Sequence, residues 1–269
     1  VSAEKELAFR YDLFITPDWR DRFDTLINES IVLPVEGRLL DVNCGTGAHS
    51  IEIAEQRAGK GEVIGVDPCA ERIALARAKS EIKKVRGLTF EEGRASALRF
   101  NDGWFSVAIG DASMMATAEI EGALREMIRV TQPRGRVILK MATHGSFDEF
   151  FSIYWEALLE TGLTDQCWAG LEKLINERLT ISDAEEMARR AGLSRIDSFC
   201  SKEEFFYESG SAFLDSPLIS DVFLSDWLSI IPQDRRQEVS EDIESLIEKE
   251  RHDAPFDISI KATLITGLK

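Results

Sequence analysis

Between residues 37 and 47 the chain passes from an apolar run into a glycine turn, and that passage constrains the fold more than any other stretch. Leu39-Leu40-Asp41-Val42 reads as a short buried strand, and Asn43-Cys44-Gly45-Thr46-Gly47 as the tight turn that ends it. Helical spacing resumes over residues 48–58. Glu62-Val63-Ile64-Gly65-Val66-Asp67 is a second buried strand, closed by Asp67-Pro68. From Ala70, the positions Ala70, Ile73, Ala74, Arg77 and Ala78 follow the period of an amphipathic helix. Leu88–Glu91 is a third strand and Trp104–Ile109 a fourth. Ile120, Ala123, Leu124, Met127 and Ile128 form one helical stripe, stopped by Pro133-Arg134-Gly135, and Val137–Met141 is a fifth strand. Strands alternating with helices predict an α/β fold: βαβ units and a mostly parallel sheet covered on both faces.

The second half is less regular. Residues 145–176 read as helices carrying Phe147, Phe150, Phe151, Tyr154 and Trp155. Ser182-Asp183-Ala184-Glu185 fits a capping box, and Ser194–Cys200 a sixth strand. Residues 202–254 read as helical and hold 14 acidic against 5 basic residues; Phe256–Leu268 is a seventh strand. The whole chain has 32 Lys+Arg and 48 Asp+Glu, a formal charge of −16. Such a surface repels phosphate backbones, which argues against nucleic-acid or anionic-membrane partners. More than half of that charge lies in 202–254, where a solvated helical face accounts for it.

Cys44, Cys69, Cys167 and Cys200 form no CxxC pair, and with only His49, His144 and His252 beside them no metal site is expected. Cys44 reads as a small packing residue and His49 as a helix-surface or capping residue. The N-terminal residues lack the apolar run of a signal peptide, and no apolar stretch is long enough for a membrane span, so the cytoplasm is the expected location. The sequence leaves the oligomeric state open.

In an open parallel sheet, ligands bind beyond the carboxyl ends of the strands. Two elements map there. Gly45 and Gly47, with Asp41 and Asn43 before them, let a backbone approach a ligand at a helix N-terminus. Asp67 ends the second strand, where its carboxylate can accept hydrogen bonds from a ribose diol. The nicotinamide fingerprint GxGxxG is broken, because Ser50 stands at its third glycine. A carboxylate at Asp41 repels a pyrophosphate but suits a cation, which favours S-adenosylmethionine.

These segments resemble the class I S-adenosylmethionine-dependent methyltransferases. Leu39–Gly47 is similar to their first motif and Val63–Asp67 to their second. Phe90–Leu98 is similar to the stretch that meets the adenine, and Arg129–Val137 to the "RVLKPGGR" turn. Ser182–Phe199 resembles the helix and strand that follow. Tyr11-Asp12 and Trp19-Arg20 resemble the "YD…WR" opening of the ubiquinone/menaquinone C-methyltransferase group, where this segment lids the cofactor.

The resemblance implies a Rossmann-like, doubly wound seven-stranded sheet of order 3-2-1-4-5-7-6, strand 7 antiparallel, with helical cap insertions. It implies an N-terminal lid over 1–36, a core of 37–144, 177–201 and 256–269, and a substrate cap of 145–176 and 202–255. Asp41, Asn43, Gly45, Gly47, Asp67, Pro68, Arg94, Ala95 and Asp111 become the cofactor residues, with S-adenosyl-L-homocysteine as product. Ala95 would meet the adenine edge, while Arg94 replaces the usual Asp and cannot accept the adenine amino proton. Tyr11, Phe147 and Phe151 are lid or substrate candidates. His144 and Asp111 are the catalytic candidates, needed only if the acceptor keeps its proton at neutral pH.

The expected reaction is in-line methyl transfer to a small molecule. Gly110-Asp111-Ala112-Ser113 stands where an NPPY-like tetrapeptide would mark a planar amino acceptor. A protein or RNA methyltransferase, a non-catalytic adenosyl-ligand-binding subunit and a nicotinamide dehydrogenase are the competing readings.

Overall fold

Each buried run of the sequence becomes a strand in the computed structural model, which describes residues 3–250 and 254–269. His252, and the parts of the expected lid and cap that fall on residues 1–2 and 251–253, lie outside the described residues. In chain order the first half holds α1 (Ala3–Arg10), a π-helical segment (Tyr11–Arg20), α2 (Asp21–Ser30), β1 (Gly37–Val42), α3 (Ala48–Arg57), β2 (Gly61–Asp67), α4 (Ala70–Lys83), β3 (Leu88–Glu92), β4 (Phe105–Asp111), α5 (Thr117–Val130) and β5 (Thr131–Ala142). There follow α6 (Asp148–Glu160), α7 (Thr164–Asn176), α8 (Ile181–Arg190), β6 (Ser194–Tyr207), α9 (Gly210–Leu214), α10 (Leu224–Trp227), α11 (Arg236–Glu250) and β7 (Phe256–Leu268). The seven strands form one sheet of order β3-β2-β1-β4-β5-β7-β6. β1 to β5 pair in parallel, and β7 runs antiparallel to β5.

The chain divides into two compact units: Val1–Ala142, Thr180–Ser201 and Ala262–Lys269 form the first, Thr143–Leu179 and Lys202–Lys261 the second. In the first, side chains two apart along a strand share a face. Leu39, Val107, Ile109, Ile138 and Leu264 therefore meet Leu26 and Ile27 of α2, Ile31 just beyond it, and Ile53 and Ala54 of α3 in one apolar cluster. A second cluster joins Cys44, Ile51, Ile73, Ala76 and Phe90, which makes Cys44 a packing residue. The Tyr11–Arg20 segment is wound more widely than an α-helix: the Asp21 N–H donates to the Thr16 carbonyl, five residues back. Pro17 inside it has no N–H to donate.

The second unit has an aromatic core. Phe150 stacks on Trp227 at 4.4 Å between ring centroids, Phe223 stacks on Trp227 at 5.3 Å, and the Tyr154 hydroxyl donates to the Trp227 carbonyl at 2.8 Å. The unit reaches beyond the expected 145–176 because the His144 N–H donates to the Leu179 carbonyl, which closes that segment at its base.

Three boundaries differ from the sequence expectation. β6 continues to Tyr207; it is the edge strand of the sheet, and edge strands carry charges such as Lys202, Glu203 and Glu204 that disguise them as surface helix. β5 begins at Thr131, so Pro133-Arg134-Gly135 lies inside the strand, where the register against β4 shifts between Phe105 and Val107. The cap of α8 is Thr180, whose hydroxyl oxygen accepts the Asp183 N–H at 3.1 Å and whose O–H donates to the Asp183 carboxylate at 2.6 Å. Thr180→Ala should therefore cost about 1 kcal/mol in urea unfolding, and Ser182→Ala only a few tenths. Equal effects would contradict this cap.

Candidate functional site

At the carboxyl end of the sheet the apolar face turns ionic. Two residues beyond Leu39 comes Asp41, beyond Ile109 comes Asp111, and beyond Ile138 comes Lys140. The same step occurs on the helices that cover this face. Asp24 and Arg20 precede Ile27 by about one and two turns, and His49 precedes Ile53 by one. All six of these polar side chains are at most 5% exposed.

Lys140 Nζ donates to Asp24 Oδ1 at 2.7 Å and lies 3.5 Å from Asp111 Oδ2. Arg20 Nη2 lies 3.3 Å from the same Asp111 oxygen. Asp111 Oδ1 accepts the Ser113 N–H and hydroxyl at 2.9 and 2.6 Å, and Ser113 Oγ accepts the Trp19 indole N–H at 2.8 Å. Burial alone would raise the Asp111 carboxyl; Arg20, Lys140 and the Ser113 donors outweigh it and hold the group at about 2. Asp24 is likewise lowered, against its burial, by His49, Lys140 and Arg20. For Lys140, burial is outweighed by Asp24 and Asp111, which raise it.

Beside this cluster lies the glycine turn. Asn43 and Gly45 hold φ of 56° and 60°, and the Asn43 amide donates to the Asp111 carbonyl at 2.9 Å, tying the end of β1 to that of β4. Gly47 holds φ of 77°, and a Cβ there would lie 2.5 Å from Phe90 Cζ. Asp67 accepts the Gly45 N–H on Oδ2 at 2.9 Å and the Cys69 N–H on Oδ1 at 3.0 Å. Ser50, at the position of the missing third glycine, donates to Asp41 Oδ2 at 2.5 Å.

The π-helical segment covers the turn. Tyr11 Cε1 would lie 3.0 Å from a Cβ on Gly45. The Tyr11 hydroxyl accepts from Arg20 Nη1 at 3.0 Å, and the Arg72 guanidinium sits 3.9 Å over the Tyr11 ring. Asp12 accepts the Thr46 hydroxyl and, at 2.5 Å, the Lys79 ammonium.

The structure thus brings Tyr11, Asp41, Asn43, Gly45, Gly47, Asp67 and Asp111 to one place. Gly93, which donates its N–H to the Asp67 carbonyl at 3.1 Å, carries Ala95, which is buried, and Arg94, whose side chain is exposed. Pro68 is exposed at the end of β2. His144, Phe147 and Phe151 belong to the second unit. There His144 is exposed, while Phe147 and Phe151 are buried in the aromatic core, each in edge contact with Trp227.

Sequence reasoning met Arg20 only as part of the Trp19-Arg20 resemblance and singled out neither Asp24 nor Lys140. It read His49 as a helix-surface or capping residue, whereas its ring is buried against Asp24, and it read Ser50 only as a lost glycine. One signal was present: Lys140 is a cation inside Val137–Met141, an otherwise apolar strand.

Several buried atoms here have no hydrogen-bond partner: Arg20 Nη2, Asp41 Oδ1, Asp111 Oδ2 and both ring nitrogens of His49. Buried polar atoms are nearly always paired, and of these Arg20 Nη2 and Asp41 Oδ1 are the two whose bonding a polar ligand at the turn would complete. S-Adenosylmethionine fits these residues. Its amino-acid end would bring a carboxylate for the Arg20 donor and an ammonium for the Asp41 acceptor.

Asp111 also makes stability depend on pH. Its folded value of about 2 lies below the ordinary 3.8, so its contribution is full above that range and is lost as pH falls through it. In thermal melts, the stability gap between the wild type and Asp111→Asn should stay constant down to about pH 5 and narrow steadily from about pH 4 toward pH 2. A gap that ignores pH would contradict the ionic assignment.

A family model described as "Methyltransferase domain" matches residues 35–192. A demethylmenaquinone methyltransferase of Lactococcus lactis is 27% identical over 169 residues, covering 59% of this chain and 66% of that protein. One of Thermus thermophilus is 31% identical over 164 residues, covering 57% and 72%. The chain thus spans less than two thirds of the first of these relatives and somewhat more of the second. Among solved structures, the YcgJ protein of Bacillus subtilis superposes with a TM-score of 0.58 at 20% identity, covering 93% of this chain and 98% of that one. Phosphoethanolamine N-methyltransferase 2 of Haemonchus contortus, solved with phosphomonomethylethanolamine and S-adenosylhomocysteine, gives 0.58 at 15% identity, covering 100% and 61%. The glycine turn, its two flanking carboxylates and the family match agree: the chain belongs to the methyltransferase-domain family.

Proposed function

We propose that this chain is an S-adenosylmethionine-dependent methyltransferase that methylates a small-molecule acceptor with a quinone-type ring, under cover of its own N-terminal segment. The closure of Tyr11–Arg20 over the glycine turn carries this reading. Asp41, Asp67 and Asp111 are at most 5% exposed beneath it, so the reaction they serve proceeds away from bulk water. A covered site suits an acceptor that enters the fold, in contrast to a protein or RNA strand lying across the surface, and the charge of −16 opposes RNA further. The relatives named as demethylmenaquinone methyltransferases support the ring acceptor.

Bound at this turn, S-adenosylmethionine supplies a methyl group on an already activated sulfonium. The protein's part is alignment and exclusion of water, worth up to ~7–11 kcal/mol when reacting groups are held in line. Asp67 has lone pairs left for the ribose hydroxyls after accepting from Gly45 and Cys69. Ser50 fixes one oxygen of Asp41 and leaves the other for the ammonium. Ala95 lines the adenine end. Asp111, held at about 2, is a poor proton acceptor and serves as the counter-ion of Arg20 and Lys140.

Asp67→Ala should weaken S-adenosylmethionine binding about 10- to 100-fold in calorimetry, the loss of one or two hydrogen bonds to a charged group. Unchanged affinity would refute the ribose placement. Mass spectrometry of reactions with quinols, phenols, peptides and RNA should find the methyl on a quinol; methylated peptide or RNA with no methylated small molecule would overturn the acceptor class.

A further inference from the structure

The ionic cluster is one positive charge short. Asp24, Asp41, Asp67 and Asp111 carry four negative charges at the site, and Arg20, Lys140 and Arg72, 3.9 Å from Asp67, carry three positive ones. His49 is a further member, 2% exposed. Its Nδ1 lies 3.3 Å from Asp24 Oδ1 without hydrogen-bond alignment, and its Nε2 has no partner either. Every element around it contributes to the balance: Arg20 from the π-helical segment, Asp21 and Asp24 from α2, Asp41 from β1, Asp111 from β4 and Lys140 from β5. Asp21 is within electrostatic reach of His49 and of Glu52 on α3, and neither of these two carboxylates is buried.

A site of net charge −1 gains from one more cation, because burial of an uncompensated charge is costly. Two sources are at hand. One is a proton on His49, the side chain whose charge ordinarily changes near neutral pH. The other is the ligand. S-Adenosylmethionine carries a sulfonium, an ammonium and a carboxylate, a net charge of +1. S-Adenosylhomocysteine has lost the sulfonium and is net neutral.

We propose that His49 is a charge-compensating specificity residue that distinguishes the methyl donor from its product: it is neutral while S-adenosylmethionine is bound and protonated while S-adenosylhomocysteine is bound. On binding the donor, His49 gives its proton to solvent; after methyl transfer it takes one back. No bond other than this N–H is made or broken by the residue. The proposal rests on the cofactor reading above and adds to it a proton linkage.

Calorimetry of both ligands with the full chain, in buffers of different ionisation enthalpy from pH 5.5 to 8, tests it. Donor binding should release a proton, approaching one per site at the acid end, and product binding should release none. The affinity ratio of donor to product should fall toward tenfold for each unit of pH lost on the acid side. His49→Gln should bind both ligands, release no proton and show a ratio independent of pH. The same proton release in His49→Gln, or equal release by both ligands in the wild type, would overturn the proposal. Failure of either ligand to bind the wild type would instead refute the cofactor reading. Because the chain has only three histidines, ring NMR of the wild type gives a variant-free check. The His49 signals should be those of a cation in the product complex and of a neutral ring in the donor complex; identical signals in both would overturn it.

Discussion

The site depends on one change of chemistry along a single face of the sheet. Leu39, Ile109 and Ile138 bury that face in hydrocarbon, and one pleat further on the same face presents Asp41, Asp111 and Lys140. Charges cannot be withdrawn from water without partners, so the covering elements have to change in step. They do: α2 passes from Ile27 to Asp24, the π-helical segment ends in Arg20, and α3 begins with His49 and Ser50. The N-terminal segment is thereby held to the end of the sheet by ion pairs, and removing one partner would leave the buried layer short of a compensating charge.

This layer explains why the covering segment has its wide winding. Tyr11, Thr16 and Arg20 reach the glycine turn or the cluster from one side of a short stretch. Tyr11 rests on Gly45, Thr16 Oγ1 lies 3.4 Å from Thr46 Oγ1, and Arg20 meets Asp111. Tyr11 and Thr16, five apart, are brought to one side by a winding whose hydrogen bonds span five residues. An irregular helix is a common device at functional sites, and here it places three contacts over one turn of backbone.

How much of this was readable beforehand follows from what kind of signal each residue leaves. Strands such as Leu39–Val42 and Val63–Asp67 advertise themselves because both faces are buried, and their pairing order followed from the family resemblance. Gly45, Gly47 and Asp67 stood at strand ends, where chemistry is expected. Arg20, Asp24 and His49 did not, because a charge on a helix reads as surface until the partner that buries it is known. Lys140 was the exception: a lysine between Leu139 and Met141 needs a buried counter-ion, but only the fold supplies its identity, 116 residues away at Asp24. Phe147 and Phe151 show the converse. Their spacing marked an aromatic face, yet spacing alone cannot separate a substrate wall from a core, and both are buried with Trp227.

The central claim is that the N-terminal segment and the glycine turn form one ligand-responsive unit through the buried charges. Hydrogen exchange resolved along the chain, with and without S-adenosylhomocysteine, tests it most directly. Ligand should slow exchange in Tyr11–Arg20 together with Gly45–Ser50. Protection of the glycine turn with unchanged exchange across Tyr11–Arg20 would contradict the account.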